Sequence, residues 1–347
     1  MPNSHAAHDV NPGQILGMMT AFEQTAALRA AVRLDLFTAI ADGATSAAAL
    51  AAKAKADERG VAVLCDYLTI AGLLQKQDGR YALSPAADMF LNAHSPASMA
   101  PASAWHEQIS LRFTAEQLYQ AVRRGGADAA TGVTDAPAEM WVLFARSMGV
   151  MAKMPAQLMA AGVAAPALAG VAQPKVLDIA GGHGFYGIAV ARAVPKAEIT
   201  LVDAAPVAEV AKANAAEAGV ASRYHTLSGN VLPGGEDEVV LPGGVHLALI
   251  TGFLHMFGPN TIEALFGKVK KVLAPGGAVL VVDFLPNEDR VSPPFEAAFS
   301  LTMLAATQEG RAYTEAEYRR MFAAAGLKQV ERHALGDLSQ SVLVARA

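Results

Sequence analysis

Between residues 175 and 184 the chain reads Lys-Val-Leu-Asp-Ile-Ala-Gly-Gly-His-Gly, an apolar run that breaks into a glycine-rich turn. Tyr186, Ile188, Val190 and Ala193 follow at helical spacing. A strand that ends in glycines and feeds a helix presents bare backbone N–H groups at the helix start, where a ligand can approach closely. A second apolar run ends at Asp203, 19 residues after Gly184, where a carboxylate can accept from both hydroxyls of a nucleoside ribose. The apolar runs 176–179, 199–202, 247–251 and 278–282 alternate with helical patterns. That alternation predicts an α/β, Rossmann-like domain around a mostly parallel seven-stranded sheet covered on both faces.

What the loop holds turns on Asp178. Gly182-His183-Gly184-Phe185-Tyr186-Gly187 also satisfies G-x-G-x-x-G, the turn a nicotinamide oxidoreductase would use for its dinucleotide. Asp178 stands three residues before Gly181, where its carboxylate is expected to face the ligand's tail. It would repel a pyrophosphate, whereas the α-ammonium of S-adenosylmethionine would pair with it. The residues favour a methyl donor over a dinucleotide.

The N-terminal part follows another pattern. Ile15, Met18, Met19, Phe22, Leu28, Val32, Leu36 and Ile40 predict one or two helices. Thr45 or Ser46, and then Asp57, are cap candidates, and Gly72 a stop signal. Gln77-Asp78-Gly79 between two short runs predicts a hairpin. Helices followed by such a wing make a winged helix, which a transcriptional regulator would lay on DNA. Yet the would-be reading helix, residues 57–73, has Arg59 as its single cation beside Asp57, Glu58 and Asp66, and the whole chain carries a net charge of −5. Phosphate contacts need several cations. No nucleic-acid partner is expected, and the module is read as one for packing or dimerisation. Charged residues are only 17% of the chain against 53% hydrophobic ones, which suggests that a partner covers part of the surface.

Residues 101–172 form a helical stretch rich in large apolar groups, among them Trp105, Phe113, Tyr119, Trp141, Phe144, Met148, Met151, Met154 and Met159. Such residues serve a core or a flat apolar pocket equally well. The run 155–174, interrupted by Pro155, Pro166 and Pro174, reads as a connector and not as a membrane span. A single cysteine, Cys65, excludes an internal disulfide and any multi-cysteine zinc site, and suits a reducing cytoplasm. The first ten residues carry His5 and His8 but no basic segment followed by an apolar one, so a loose tail and no secretion signal are expected.

At these residues the chain resembles the class I S-adenosylmethionine-dependent methyltransferases, and more narrowly the caffeic acid and acetylserotonin O-methyltransferase family. The family's D-x-G-G-G-x-G appears as Asp178-Ile179-Ala180-Gly181-Gly182-His183-Gly184, with Ala180 in place of the first glycine. Its D-L-P-x-V appears as Asp203-Ala204-Ala205-Pro206-Val207, its G-D as Gly229-Asn230, and its turn before the fifth strand as Leu273-Ala274-Pro275-Gly276-Gly277. The resemblance covers nearly the whole chain. It implies an all-helical winged-helix dimerisation domain, its wing aside, over residues 1–100, a helical connector walling the substrate pocket over 101–172, and a donor-binding catalytic domain over 173–347. It also implies a homodimer, a small aromatic or polyketide-like acceptor, and no membrane. Donor contacts would come from Asp178, Gly181, Gly182, Gly184, Asp203, Ala204, Gly229, Asn230, Val231 and Thr251. Asn230 could still accept from the adenine amino group through its side-chain oxygen.

Methyl transfer to a hydroxyl needs an acceptor held in line and a base to take its proton. His255 lies just past the run 247–251, at the carboxyl end of a predicted strand, where open α/β sheets bind ligands. It aligns with the family's general base, whereas His225 and His246 read as surface residues. Asp283 corresponds to one of two acidic helpers. Phenol and imidazole differ by about 3.5 pK units, so full deprotonation in advance is uphill by about 5 kcal/mol and proton removal concerted with transfer is expected. The family's Asp and Trp after the histidine are replaced by Met256 and Phe257, and the second acidic helper by Ala312, with Glu309 nearby. Met256 also stands where iron-dependent C-methylating relatives carry a ligand, so no metal is expected. These changes leave open C- or N-methylation, or non-methylating chemistry such as decarboxylation, hydroxylation or pericyclic reactions, on the same fold. Trp141, Phe144, Met148, Phe253, Phe295 and Met303 are the candidate acceptor contacts, with Phe299 and Leu304 on the same predicted helix over the pocket.

Overall fold

A computed structural model describes residues 11–347, so the expectations about His5, His8 and a secretion signal lie outside the described residues. The chain divides into two compact units between Ser103 and Ala104. In the first, α1 (Gly13–Arg33), α2 (Leu36–Ala41), α3 (Ala47–Ala54) and α4 (Glu58–Ile70) precede a hairpin of β1 (Leu74–Gln77) and β2 (Arg80–Leu83), then α5 (Pro85–Leu91). The caps are the predicted ones: the Ser46 side chain accepts from the Ala49 N–H and that of Asp57 from the Gly60 N–H. Asp78 and Gly79 both take positive φ, as a two-residue hairpin turn requires. Phe37, Leu50, Val61, Cys65, Leu68 and Tyr81 form the core. Burial pushes the Cys65 thiol up to about 11.

The outer faces of this unit are apolar. On α1, Ile15, Leu16, Met18, Met19 and Phe22 are all more than half exposed, and the one fully buried residue of that helix is Ala31. On α4, Val63 and Ile70 are exposed too. The wing's Lys76 is drawn into an ion pair with Asp66 (2.6 Å), which also accepts from the buried Tyr81 hydroxyl.

The second unit takes in most of α6 (Ala102–Ser110) and continues through α7 (Ala115–Arg124), α8 (Ala138–Met159), a π turn (Ala160–Ala164) and α9 (Ala165–Ala167). A regular alternation follows: β3 (Lys175–Ile179), α10 (Phe185–Ala193), β4 (Glu198–Asp203), α11 (Ala205–Glu217), β5 (Tyr224–Ser228), β6 (Val245–Thr251), α12 (Pro259–Lys270) and β7 (Leu273–Phe284). It ends with α13 (Pro294–Ala306), α14 (Glu315–Ala324), β8 (Lys328–Ala334) and β9 (Gln340–Arg346). The sheet order is β5-β4-β3-β6-β7-β9-β8; the first five strands are parallel, and β9 runs antiparallel to β7 and β8.

Strand periodicity sorts the core into two layers. Val176, Leu247, Leu249, Leu280 and Val282 face α8, α10 and α11, while Leu177, Ile179, Ala248, Ile250, Val279 and Val281 face α12 and α14. The segment read as a connector belongs to the first layer. Pro155 sits inside α8, and the chain runs on through the π turn with Ala156, Met159, Ala160 and Ala164 buried. Burying Met159, Val163 and Leu168 at roughly 1.5–3 kcal/mol each outweighs the cost of about 3 kcal/mol for an interior proline.

Ala180, where the motif has glycine, is held at φ 49°, the left-handed region that costs a Cβ-bearing residue roughly 1–2 kcal/mol. Ala180→Gly should therefore raise the thermal midpoint by about 1–3 °C in differential scanning calorimetry, the relief exceeding the added freedom of the unfolded chain.

Candidate active site

The five parallel strands end along one edge, and β3 has β4 on one side and β6 on the other, which makes its end the topological switch point of the sheet. The glycine loop emerges there. A Cβ on Gly181 would stand 2.6 Å from Leu201 Cδ1 and 2.7 Å from Asp178 Cγ, and one on Gly184 would stand 2.5 Å from the Tyr224 hydroxyl. Only bare backbone fits. Asp203 closes the loop from β4: its Oδ2 accepts from the Gly182 N–H and its Oδ1 from the Ala204 N–H, both at 2.8 Å. Burial raises its pKa, and those two N–H groups oppose the rise. Each oxygen keeps a lone pair for a ligand hydroxyl.

Asp178 differs from expectation. Its side chain is fully buried beneath the loop instead of facing a ligand tail, because Oδ2 accepts from the Gly187 N–H (3.1 Å) in the first turn of α10. Its Oδ1 and the Tyr224 hydroxyl are both buried without a protein partner. Desolvation pushes the Asp178 carboxyl up to about 7, the Gly187 N–H working against the rise and the charge of Asp203 adding to it. His183 is buried as well; its Nδ1 accepts from the Phe185 N–H (3.2 Å), and desolvation lowers it to about 4, so the ring is neutral at pH 7. Gly149 brings α8 onto this loop: a Cβ there would meet the Phe185 ring at 2.7 Å. Its position in the middle of a methionine-rich helix was the one sequence sign of that approach.

The other proposed donor contacts are spread along the same edge. Gly229 donates to the Asp203 carbonyl (3.1 Å) at the end of β5. Asn230 folds its side chain into its own turn, Oδ1 accepting from the Leu232 N–H (2.9 Å), so one lone pair of that oxygen remains. Val231 is core, and Thr251 is buried at the end of β6. The glycine cradle and the spare lone pairs of Asp203 fit a nucleoside, with the orphaned Asp178 oxygen just below.

From the ends of β6 and β7 come the two groups that can move a proton. His255 lies in a single 3₁₀ turn (Leu254–Met256), and its Nδ1 is 2.7 Å from Asp283 Oδ1, both side chains being buried. With an ionised carboxylate as partner Nδ1 is the donor, which leaves the Nε2 lone pair free. Asp283 Oδ1 also accepts from the Phe284 N–H (2.9 Å), and its Oδ2 from the Tyr318 hydroxyl (2.7 Å). Tyr318, on α14, escaped the sequence reading. Glu309 lies against Gly258, and Ala312 is fully buried. His225 pairs with Glu198, and His246 accepts from the Lys175 N–H.

The apolar candidates fall into separate groups. The ring set edge-on against His255 is that of Phe299, at 4.9 Å, and Phe284 packs on both Phe299 and Phe295. Phe295 itself is 61% exposed, and Met303 is buried. Trp141 and Phe144 close on Trp105, Met148 beside Gly149 is half-buried, and Phe253 packs on Phe257. Among the described residues no group of three or more His, Cys, Asp or Glu side chains is arranged to hold a metal ion, and no helix is long and apolar enough to cross a membrane.

A sheet of this order with a nucleoside cradle at its switch point is the architecture of the Rossmann-like methyltransferases. Residues 117–328 match the O-methyltransferase domain, residues 16–93 match the O-methyltransferase dimerisation domain, and the chain belongs to this O-methyltransferase family. A solved structure from Nostoc punctiforme PCC 73102, with a provisional O-methyltransferase assignment, is 42% identical and superposes with a TM-score of 0.88 over 97% of this chain and 99% of that one. Human N-acetylserotonin methyltransferase, solved in complex with S-adenosylmethionine, shares the fold at 21% identity and a TM-score of 0.83, over 98% of this chain and 99% of that one. The 3-hydroxy-5-methyl-1-naphthoate 3-O-methyltransferase of Streptomyces sahachiroi is 28% identical over 92% of this chain and 90% of its own length.

The buried Asp178 makes a pH signature. A folded value of about 7 lies above the ordinary unfolded value near 3.9, so the folded state holds the extra proton. The stability this contributes is complete below about pH 4 and is lost as pH rises to about 7. In ligand-free protein, Asp178→Asn should therefore gain thermal stability over the wild type progressively from pH 5 to pH 8, as read by calorimetry at each pH.

Proposed function

We propose that this protein transfers a methyl group from S-adenosylmethionine to a hydroxyl of a small aromatic or polyketide-like acceptor, with His255 as the general base. The bound donor supplies an electrophilic methyl group on its sulfonium. Gly181, Gly182 and Gly184 admit it to the end of β3, and Asp203 offers its spare lone pairs to the ribose. Gly229, Asn230 and Val231 line the adenine side, with Ala204 and Thr251 completing the edge. The observation that carries the proposal is the 2.7 Å contact between His255 and Asp283 at the carboxyl ends of β6 and β7. That contact holds the ring so that Nε2 is the free base. It also places a buried carboxylate where it stabilises the imidazolium formed as the acceptor's proton leaves. Phe299, Phe284 and Phe253 give the neighbourhood of His255 a flat, apolar character suited to an aromatic ring, and Trp141, Phe144, Met148, Phe295 and Met303 are the proposed outer contacts. The naphthoate-methylating relative supports a fused-ring aromatic acceptor.

His255→Ala should lower kcat toward a hydroxynaphthoate by about 10²–10⁴-fold while S-adenosylhomocysteine binds within about twofold of the wild type. Mass spectrometry of the product, one methylene heavier, and calorimetric titration read the two effects, and a variant as fast as the wild type would overturn the base assignment.

The working unit is a homodimer formed through the N-terminal unit, and its place is the cytoplasm. Support for the dimer comes from the exposed apolar residues of α1 and α4 within a matched dimerisation domain. Phe22→Asp together with Met19→Asp should convert the dimer to a monomer in size-exclusion chromatography with light scattering.

A further inference from the structure

We propose that Tyr318 is a positioning residue of the catalytic pair, holding the Asp283 carboxylate and tempering its charge. The inference rests on the reading of His255 as base. Ala312, the position where the resemblance led one to expect a second acidic helper, is fully buried and has no polar side chain, and Glu309 is turned against Gly258. Asp283 is the acid that contacts His255.

Three donors converge on the Asp283 carboxylate. The His255 ring (2.7 Å) and the Phe284 N–H (2.9 Å) share Oδ1, and the Tyr318 hydroxyl (2.7 Å) takes Oδ2. A carboxylate gripped at both oxygens cannot rotate, so Oδ1 stays opposite the ring nitrogen. Tyr318 is fully buried, and burial together with the neighbouring charge of Asp283 holds its phenol well above the ordinary value of 10. It is thus a permanent donor and never a second anion. Other groups feel or flank the pair: Tyr186 on α10 lies in the field of Asp283, and Tyr313 and Glu317 lie beside Tyr318.

The charge arithmetic favours this arrangement in a buried site. With one carboxylate the pair goes from a net charge of −1 to 0 when His255 takes the proton; with two it would go from −2 to −1, and each unpaired buried charge is costly. A neutral donor on Oδ2 withdraws charge from the carboxylate and leaves the imidazolium less stabilised than a bare carboxylate would. Helix α14 is built to place this donor. A capping box of Thr314 and Glu317 fixes its first turn, Glu317 also binds Arg290 and Arg311, and Tyr313 donates to the Phe257 carbonyl (2.6 Å) just past the turn that carries His255.

Two replacements with opposite expected signs test the proposal. Tyr318→Phe keeps the ring and removes the donor; replacement of Tyr318 by 3-fluorotyrosine keeps both and strengthens the donor. With a hydroxynaphthoate as acceptor, Tyr318→Phe should lower kcat about tenfold at an unchanged KM and move the acid limb of kcat to higher pH by about half a unit to one unit. The fluorinated protein should move that limb to lower pH. Proton NMR of the complex with S-adenosylhomocysteine, which needs no acceptor, should show the His255 Nδ1 proton, identified by its loss in His255→Gln, shifting in opposite directions in the two proteins. If both proteins keep the wild-type resonance and acid limb and only the melting temperature falls, Tyr318 is a packing residue and the proposal fails. If His255→Ala is as active as the wild type, it is the base assignment that fails; if that variant is inactive while the Tyr318 proteins behave as wild type, the base stands and the positioning role falls. Should Tyr318→Phe not fold, the sign of the shift in the fluorinated protein decides alone.

Discussion

The bend by which β3 becomes α10 is the constraint on which the ligand face depends. Within five residues the chain must leave the centre of a buried sheet and start a helix, passing between Asp178, Leu201 and Tyr224 with no room for side chains at Gly181 and Gly184. Because those positions are bare, the backbone N–H groups are free to be organised by carboxylates: Gly187 by Asp178 below, Gly182 by Asp203 beside. The same closeness draws in α8, whose Gly149 lies on the Phe185 ring. A methionine-rich helix is in this way fastened to the glycine loop, so loop and helix are parts of one packed body.

On the other side of the switch point His255, Asp283 and Tyr318 form one hydrogen-bonded chain. All three side chains are buried, which strengthens each electrostatic contact and makes an unpaired polar atom expensive. Two carboxylates of the site, Asp283 and Asp178, are held in opposite ways. Asp283 is surrounded by three donors, whereas Asp178 has one backbone donor and an oxygen left without a protein partner, and its proton affinity is raised accordingly. Asp283 lies against the His255 ring, and Asp178 lies under the glycine loop.

How far the sequence could be read depended on whether a residue's role is local. Strands and glycine turn are local: a period of two between bounded apolar runs and three glycines before a helix are visible without a fold. The caps at Ser46 and Asp57 are local too. His255 and Asp283 could be singled out because each lies at or just past the carboxyl end of a predicted parallel strand and aligns with the base and an acidic helper of the family that the chain resembles. Tyr318 and Phe299 carried no comparable sign, since an aromatic on an amphipathic helix reads as core. Nor could the burial of Asp178 be foreseen, because it depends on the side chain turning back toward the first turn of α10. Pro155 shows the same dependence on packing: its local preference for ending a helix is overcome by the packing of Met159, Val163 and Leu168 on the sheet.

By itself, then, the sequence determined the alternating α/β plan, the glycine turn with Asp203 at the end of the next strand, and the winged module at the N-terminus. These follow from backbone stereochemistry and hydrophobic spacing over stretches of ten to twenty residues. The tertiary structure alone decided which groups meet: Tyr318 at Asp283, 35 residues apart, Phe299 at His255, and Gly149 at Phe185. The reason is that a contact between distant residues is set by how the layers of helix and sheet pack, and packing responds to the shape and volume of many side chains together.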